Sequence, residues 1–315
     1  MTLQAVLRYV VLVLTLLQSV AFAEEVPDPP FVPTDSSHAN WLFSGLLTNE
    51  NGDQYGYFFQ VERAGNHVHA TSALLDGQSK QLIVFEDTET EVKDPSVLNW
   101  KMGRMFMRFN PITESWIFGL KANGNAGFNL KADMLSRLRT QPIEDLRKGI
   151  DLIVGQTSRV NGHIYPSEDA KEEFVTAAHN WFRQVWQSEA QDKYHPFSGV
   201  LCQNSEGDSF YSVNMRESDA HRGAVTGAYN AKGQAQNISQ FVSVKLGDDN
   251  LWHIRVPSPK QAISFTNLLK DASVVGGFSK QNDSLTFCII TRDSLAKEQP
   301  SIITPPNELN AEKAS

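Results

Sequence analysis

Apolar and polar residues alternate along most of this chain with a period near two, and Gly, Asn, Asp and Pro interrupt the alternation at short intervals. That rhythm describes antiparallel β-structure. It predicts strands at Trp41–Thr48, Tyr55–Arg63, His67–Leu75, Gln81–Glu86, Arg104–Asn110, Trp116–Lys121 and Gly127–Ala132. A second block follows at Leu152–Pro166, Val175–Gln187, Phe197–Gln203, Phe210–Glu217, Gly223–Tyr229, Ile238–Lys245, Leu251–Val256, Gln261–Leu269 and Leu285–Thr291. Asp76-Gly77 and Asn123-Gly124 mark turns. The acidic run Glu86–Asp94 reads as a solvated loop. Residues 133–150 carry helical spacing broken by Pro142, which predicts an irregular linker with a turn or two of helix.

The pattern also repeats. Phe43 to Asp53 reads FSGLLTNENGD, and Phe197 to Asp208 reads FSGVLCQNSEGD. Each copy is an apolar segment, a polar Asn/Gly/Asp turn and a second apolar segment, the signature of a hairpin. An offset of about half the chain implies a duplicated β-domain. The expected organisation is a leader at 1–23, an extended Pro-rich acidic lead-in at 24–37, one β-domain at 38–165, a second at 166–295 and a disordered tail at 296–315. The fold class expected is all-β, as two tandem antiparallel β-barrels with little helix.

The first 23 residues have the form of a secretory signal: Arg8, an apolar run too short to span a membrane, and Ala21-Phe22-Ala23 for cleavage. Its style is bacterial. The expected location is therefore the periplasm or the cell exterior, with the mature chain beginning at Glu24. The chain carries 28 basic and 36 acidic residues, a net charge of −8. That balance and the lack of a basic stripe disfavour nucleic acid and anionic membranes as partners. Nothing indicates an integral membrane protein, and nothing fixes an oligomeric state. Cys202 and Cys288 are the two cysteines. They read either as a disulfide between first and last strands of the second domain or as two buried thiols.

Sequence signals for chemistry are sparse. There is no nucleophile elbow, phosphate-binding loop, zinc-protease helix or C-x-x-C, and no cofactor is implied. His67 and His69 share a strand face, but no third ligand is evident, and the pair reads as a polar outer surface in preference to a metal site. Aromatics are more informative: Trp41 and Phe43 share one strand, Tyr55, Tyr57 and Phe59 another, and Trp181 and Trp186 lie in HNWFRQVW. Aromatics at period two build either a packed barrel core or an apolar ligand pocket.

On these residues the chain resembles the carotenoid 1,2-hydratase and AttH-type family, whose members have two lipocalin-like barrels. The likeness rests on Trp41, Phe43, Ser44-Gly45, Gly52 and Tyr55-Gly56, on Thr157-Ser158-Arg159 with Gly162, on Trp181 to Trp186, and on Trp252 with Pro257. It implies a catalytic His that would protonate an alkene, but that position is Gln184 here, and the preceding Asp is Arg183. Trp186 is retained. Tyr211 falls at the family's catalytic Tyr, while the Asp two beyond falls on Val213. Proton-driven hydration needs a strong, positioned acid, and Gln is not one. Related fungal two-barrel proteins catalyse cycloadditions by holding a polyene in shape, which asks for no titratable group. The leading expectation is a protein that binds an extended apolar molecule, such as an isoprenoid, polyene or lipid, against Trp181, Gln184, Trp186 and Tyr211, with Trp41 and Tyr57 from the first domain. The alternatives are a hydratase, isomerase or cyclase acting on such a molecule, and a structural module with a filled core.

Overall fold

The computed structural model describes residues 36–134, 142–167, 171–189, 196–215, 225–269, 273–281 and 284–294. The expected leader, most of the lead-in and the C-terminal tail lie outside them. Regular structure among the described residues is entirely β, and every paired strand is antiparallel.

The first sheet begins as a meander of β1 (His38–Asn49), β2 (Gln54–Ala64), β3 (His67–Asp76) and β4 (Gln81–Glu91). It continues through β5 (Asn99–Met102), β6 (Met105–Asn110), β7 (Ser115–Leu120) and β8 (Gly127–Asp133). Then come β9 (Glu144–Arg147), β10 (Ile150–Gln156), β11 (Arg159–Tyr165), β12 (Glu173–Ala177) and β13 (Trp181–Gln187). β12 pairs with the end of β1 and β13 with its start, so the sheet curls back onto its first strand. The remaining seam, between β4 and the β5–β6 hairpin, is bridged by Arg104, which pairs with Glu86 at 3.3 Å. The result is a nearly closed barrel. β12 and β13, assigned by sequence to the second domain, therefore complete the first sheet.

Two local expectations are corrected. The run Glu86–Glu91 is not a loop: it continues β4, pairing residue by residue with β3. Its alternating charges and threonines reflect an outer strand with one wet face, not an unpaired segment. Glu144–Arg147 is strand β9, held by pairing to β10, where a helical turn was expected; residues 135–141 lie outside the description. The local helical spacing loses to cross-strand hydrogen bonding, as short propensity signals often do.

The second half forms a six-stranded sheet and a three-stranded sheet. The first holds β14 (Pro196–Asn204), β15 (Ser209–Met215), β16 (Val225–Tyr229), β17 (Ala235–Gln236), β21 (Val274–Gln281) and β22 (Ser284–Ser294). The second holds β18 (Ser243–Leu246), β19 (Trp252–Val256) and β20 (Gln261–Phe265). One face of the six-stranded sheet, through Val200, Cys202, Phe210, Cys288 and Ile290, packs on Ile254, Ile263 and Phe265 of the small sheet. The other face, through Phe197, Leu201, Val213, Phe287 and Ile289, packs on the outside of the first barrel at Leu42, Phe58, Leu152 and Trp181. Cys202 and Cys288 stand opposite each other on β14 and β22 and are joined in a disulfide.

The repeated motif is repeated atom by atom. In the first copy the Asn49 side-chain oxygen accepts from Asn51 N (3.0 Å) and Asp53 N (2.8 Å), and Gly52 N donates to Asn49 O. In the second, Asn204 accepts from Glu206 N (3.1 Å) and Asp208 N (2.8 Å), and Gly207 N donates to Asn204 O. Gly52 and Gly207 both have positive φ, 89° and 101°, which a side chain would disfavour. The Asn side chain supplies the turn and the glycine permits it. The motif's other glycine has a different task. A Cβ on Gly45 would lie 2.6 Å from Gln203 Oε1, and one on Gly199 would lie 2.5 Å from an Arg183 nitrogen. Both mark where the two halves of the chain press together.

Candidate functional site

Successive residues of a strand point to opposite faces, and β13 uses both. Trp181, Arg183 and Val185 face the seam between the first barrel and the six-stranded sheet. Phe182, Gln184 and Trp186 face the barrel interior, opposite Phe43, Trp41 and Ala39 of β1. The six residues singled out by sequence are thereby divided. Trp41, Tyr57, Gln184 and Trp186 share the first barrel's inner face. Trp181 and Tyr211 meet in the seam, ring centroids 5.5 Å apart.

The seam pair is anchored. The Trp181 indole N–H donates to Cys202 O at 3.0 Å, and its ring also packs on Tyr229 at 5.8 Å. Tyr211 lies over Gly227, where a Cβ would clash with its ring. Burial, then Tyr229 and Glu144, raise the Tyr211 hydroxyl above its ordinary range, so it is not an acid near neutrality.

The barrel interior is built from aromatic layers. Phe43 stacks on Phe118 at 4.2 Å and packs on Phe182 at 5.2 Å and Trp116 at 5.8 Å. Tyr57 packs on Phe118 and Phe128, and its hydroxyl donates to the Asn180 side-chain oxygen at 3.1 Å, with that amide turned to suit its neighbours. Burial again raises the Tyr57 hydroxyl above its ordinary range. At the end of the barrel where β1 begins, Trp41 and Trp100 pack edge to face at 5.4 Å. The Arg63 guanidinium lies over both rings, at 5.7 and 5.9 Å, and donates to Pro95 O and Ser36 O. Arg63 thus closes that end, sealing the loop before β5 against the chain entering β1.

Against this apolar lining, a set of polar atoms is buried without a hydrogen-bond partner. It comprises the indole N–H groups of Trp41, Trp100 and Trp116, the Ser72 hydroxyl, and both amide atoms of Gln184. Gln184 and Trp41 are directly opposite in register, and both are 0% exposed. Ser72 is opposite Phe59, on the same inner face. Each unpaired buried group costs about 1–3 kcal/mol, and native folds carry few of them. Sequence inspection finds Trp41 and Gln184 but misses Trp100, Trp116 and Ser72. Trp116 stood in a predicted strand and Trp100 in none, and nothing in a sequence tells whether an indole N–H finds an acceptor.

The histidine pair resolves differently. His69 Nε2 lies 2.6 Å from Asp87, and His67 lies 3.6 Å from Glu91. Among the described residues no cluster of His, Cys, Asp and Glu is arranged to hold a metal. Two cavities lie elsewhere: one of about 590 Å³ along β5 to β8, bordered by Trp100, and one of about 290 Å³ at the edge of the second core, beside Cys202 and Tyr229. None of the six expected residues lines either.

The architecture is that of the two-barrel lipocalin-like proteins. The chain is similar to the AttH-type protein of Nitrosomonas europaea, at 14% identity and TM-score 0.57, over 86% of this chain and 98% of that one. It is also similar to kievitone hydratase from Nectria haematococca, at 11% identity and TM-score 0.51, over 84% and 94%. At these identities the likeness is one of fold, and at that level the resemblance noted in the sequence is borne out. No family model and no curated protein sequence matches the chain. No described helix is long and apolar enough to cross a membrane, which says nothing of β-strands.

Proposed function

We propose that the first barrel binds an extended, largely apolar small molecule carrying a hydrogen-bond acceptor, of the isoprenoid, polyene or lipid kind. The observation that carries this reading is the set of unpaired donors on an aromatic wall: Trp41, Trp100, Trp116 and the Gln184 amide. Ligand sites are apolar surfaces with a few placed polar groups. An aromatic core built for stability alone has no use for three idle indole N–H groups and an idle amide, whereas an oxygen acceptor presented among them would satisfy several at once. The apolar body of the ligand would contribute about 0.8 kcal/mol per buried methylene. Trp186 borders the same face beside Gln184. Trp181 and Tyr211, being in the seam, support the barrel from outside instead of touching the ligand.

We further propose that the protein acts in the periplasm or outside the cell after cleavage behind Ala23. The Cys202–Cys288 disulfide supports an oxidising compartment. The test is to extract natively purified protein with organic solvent and examine the extract by mass spectrometry. A stoichiometric apolar compound that rebinds wild-type protein, and rebinds a Trp41→Phe, Gln184→Met double variant at least about tenfold more weakly, is the expected result. Equal rebinding by wild type and variant would overturn the assignment. Conversion of the rebound compound into a product would identify the hydratase or cyclase alternative.

A further inference from the structure

The cavity of about 590 Å³ runs along β5 to β8 of the first barrel, and its lining combines outward residues of these strands with the buried Trp100, Met107, Leu120 and Phe128. Its shape follows from strand register. Along β5, β6, β7 and β8 the outward residues form two cross-strand rows. One is Asn99, Arg108, Ile117 and Lys131, and the other is Lys101, Phe106, Gly119 and Asn129. Gly119 stands in the middle of the second row between Phe106 and Asn129. A Cβ there would lie within 3.0 Å of Asn129 Cα, so the backbone excludes any side chain at that point. The row therefore dips, and Phe106 and Ile117, half-buried, form an apolar floor.

One lip of the trough is the segment Leu120–Asn123. It is pinned: Arg104 Nε donates to Lys121 O at 3.0 Å, Arg104 also donates to Ala126 O at 2.7 Å, and Asn125 N donates to Ala122 O. The opposite side is Tyr165, whose hydroxyl donates to Glu172 at 2.7 Å, outside the lining. A held lip and a tied aromatic make the concavity a fixed feature.

The charge of the lining is one-sided. Lys101, Arg108 and Lys121 all line it, and no Asp or Glu does. The ion pairs recorded for this region engage Arg104 with Glu86 and Lys131 with Asp133, leaving these three cations out. The chain's net charge is −8, yet among the described residues Lys101, Arg108 and Lys121 take part in no ion pair and border an apolar floor. A local field of that sign attracts anions, and fixed walls concentrate it.

We propose that this trough is a second binding site, for an amphipathic organic anion whose flat apolar body lies on Phe106 and Ile117 and whose sulfonate or carboxylate meets Lys101, Arg108 and Lys121. Arg108 offers the planar fork that matches such an oxyanion, and the lysines supply point charges. The site differs from the barrel reading in resting on Lys101, Arg108 and Lys121, although Trp100 borders this cavity as well as the donor set.

The probe is 8-anilinonaphthalene-1-sulfonate, with N-phenyl-1-naphthylamine as the same aromatic body without the acid. Each is titrated by fluorescence into wild-type protein, into Lys101→Glu, Arg108→Glu, and into Gln184→Met. The expected result is saturable binding of the sulfonate that weakens by at least about tenfold in the charge-reversed variant, is unchanged in Gln184→Met, and weakens with added salt. The uncharged analogue should not distinguish wild type from the charge-reversed variant. Sulfonate binding of equal strength in wild type and the charge-reversed variant would overturn the proposal. So would loss of that binding in Gln184→Met alone, which would place the dye inside the barrel. Near-ultraviolet circular dichroism of the variants checks that the exposed substitutions leave the fold intact.

Discussion

Replacing Gln184 with Met isolates the energetic argument behind the barrel site. Gln184 is 0% exposed, and neither its amide nitrogen nor its amide oxygen has a partner. Met has the same unbranched reach and nearly the same volume, so packing against Trp41 and Phe182 is preserved while two polar atoms are removed. An unpaired buried polar group costs about 1–3 kcal/mol. The ligand-free variant should therefore be more stable than wild type by roughly 1–3 kcal/mol. For a domain of this size that corresponds to a rise in melting temperature of roughly 2–10 °C. Most core substitutions destabilise, so a gain is a distinctive outcome. The measurement is urea unfolding followed by tryptophan fluorescence, with and without the extracted ligand. Ligand should stabilise wild type more than the variant, because only wild type offers the amide. If the ligand-free variant instead loses more than about 1 kcal/mol, the amide is paired in the folded protein, and the reasoning from idle donors fails.

Three further outcomes follow from other parts of the structure. The Cys202–Cys288 disulfide closes a loop with a sequence separation of 86, and replacing both cysteines with Ala should cost about 4.6 kcal/mol by chain entropy; denaturation that does not change would show that the bond is absent in solution. Gly199→Ala would drive a methyl into the Arg183 guanidinium, which is held by Thr291 at 2.7 Å and Asn40 at 2.9 Å, and should cost about 1–3 kcal/mol in the same assay. His38 has its pKa lowered from 6.5 by burial, with Gln187 opposing and Arg63 adding to the shift. The folded state therefore binds fewer protons than the unfolded one just below that value. Stability is then lost as pH falls through the ordinary histidine range, and His38→Gln should flatten that slope between about pH 7 and pH 5.

Strand rhythm and turn chemistry made much of the fold legible. The two FSG hairpins are unambiguous because Asn49 and Asn204 act through bonds to their own turns, a local interaction that a sequence displays directly. What sequence could not display was which strands closed which sheet. β13 has alternating apolar positions on both faces, since one side meets a barrel interior and the other a second sheet. Such a strand carries no one-sided pattern to mark its partner. The candidate site suffered from the same cause. Trp181, Gln184, Trp186 and Tyr211 read as one aromatic-rich group, yet a difference of one residue in strand position sends a side chain to another compartment. The outer trough was invisible for a different reason: Lys101, Arg108 and Lys121 are far apart in pattern and are brought together only by the pairing of β5, β6 and β7.

The two faces of β13 also bear on how the resemblance to the hydratases is read. The family's Asp and His positions fall here on Arg183 and Gln184, neighbours in sequence that are separated by the sheet itself. Arg183 lies in the seam, over the Phe197 ring at 5.1 Å and bonded to Asn40 and Thr291. Gln184 lies inside the barrel against Trp41. The two positions therefore answer to different neighbours: one where the halves of the chain meet, the other on the barrel's inner face. A double-mutant cycle tests this. Arg183→Met should destabilise strongly, because Asn40 and Thr291 lose a buried donor, whereas Gln184→Met should stabilise. The double variant should equal the sum within about 0.5 kcal/mol, the additivity of sites with no shared partners. A coupling above about 1 kcal/mol between these adjacent residues would mean that the seam and the barrel interior respond as one unit, and that the site cannot be assigned to the barrel face alone.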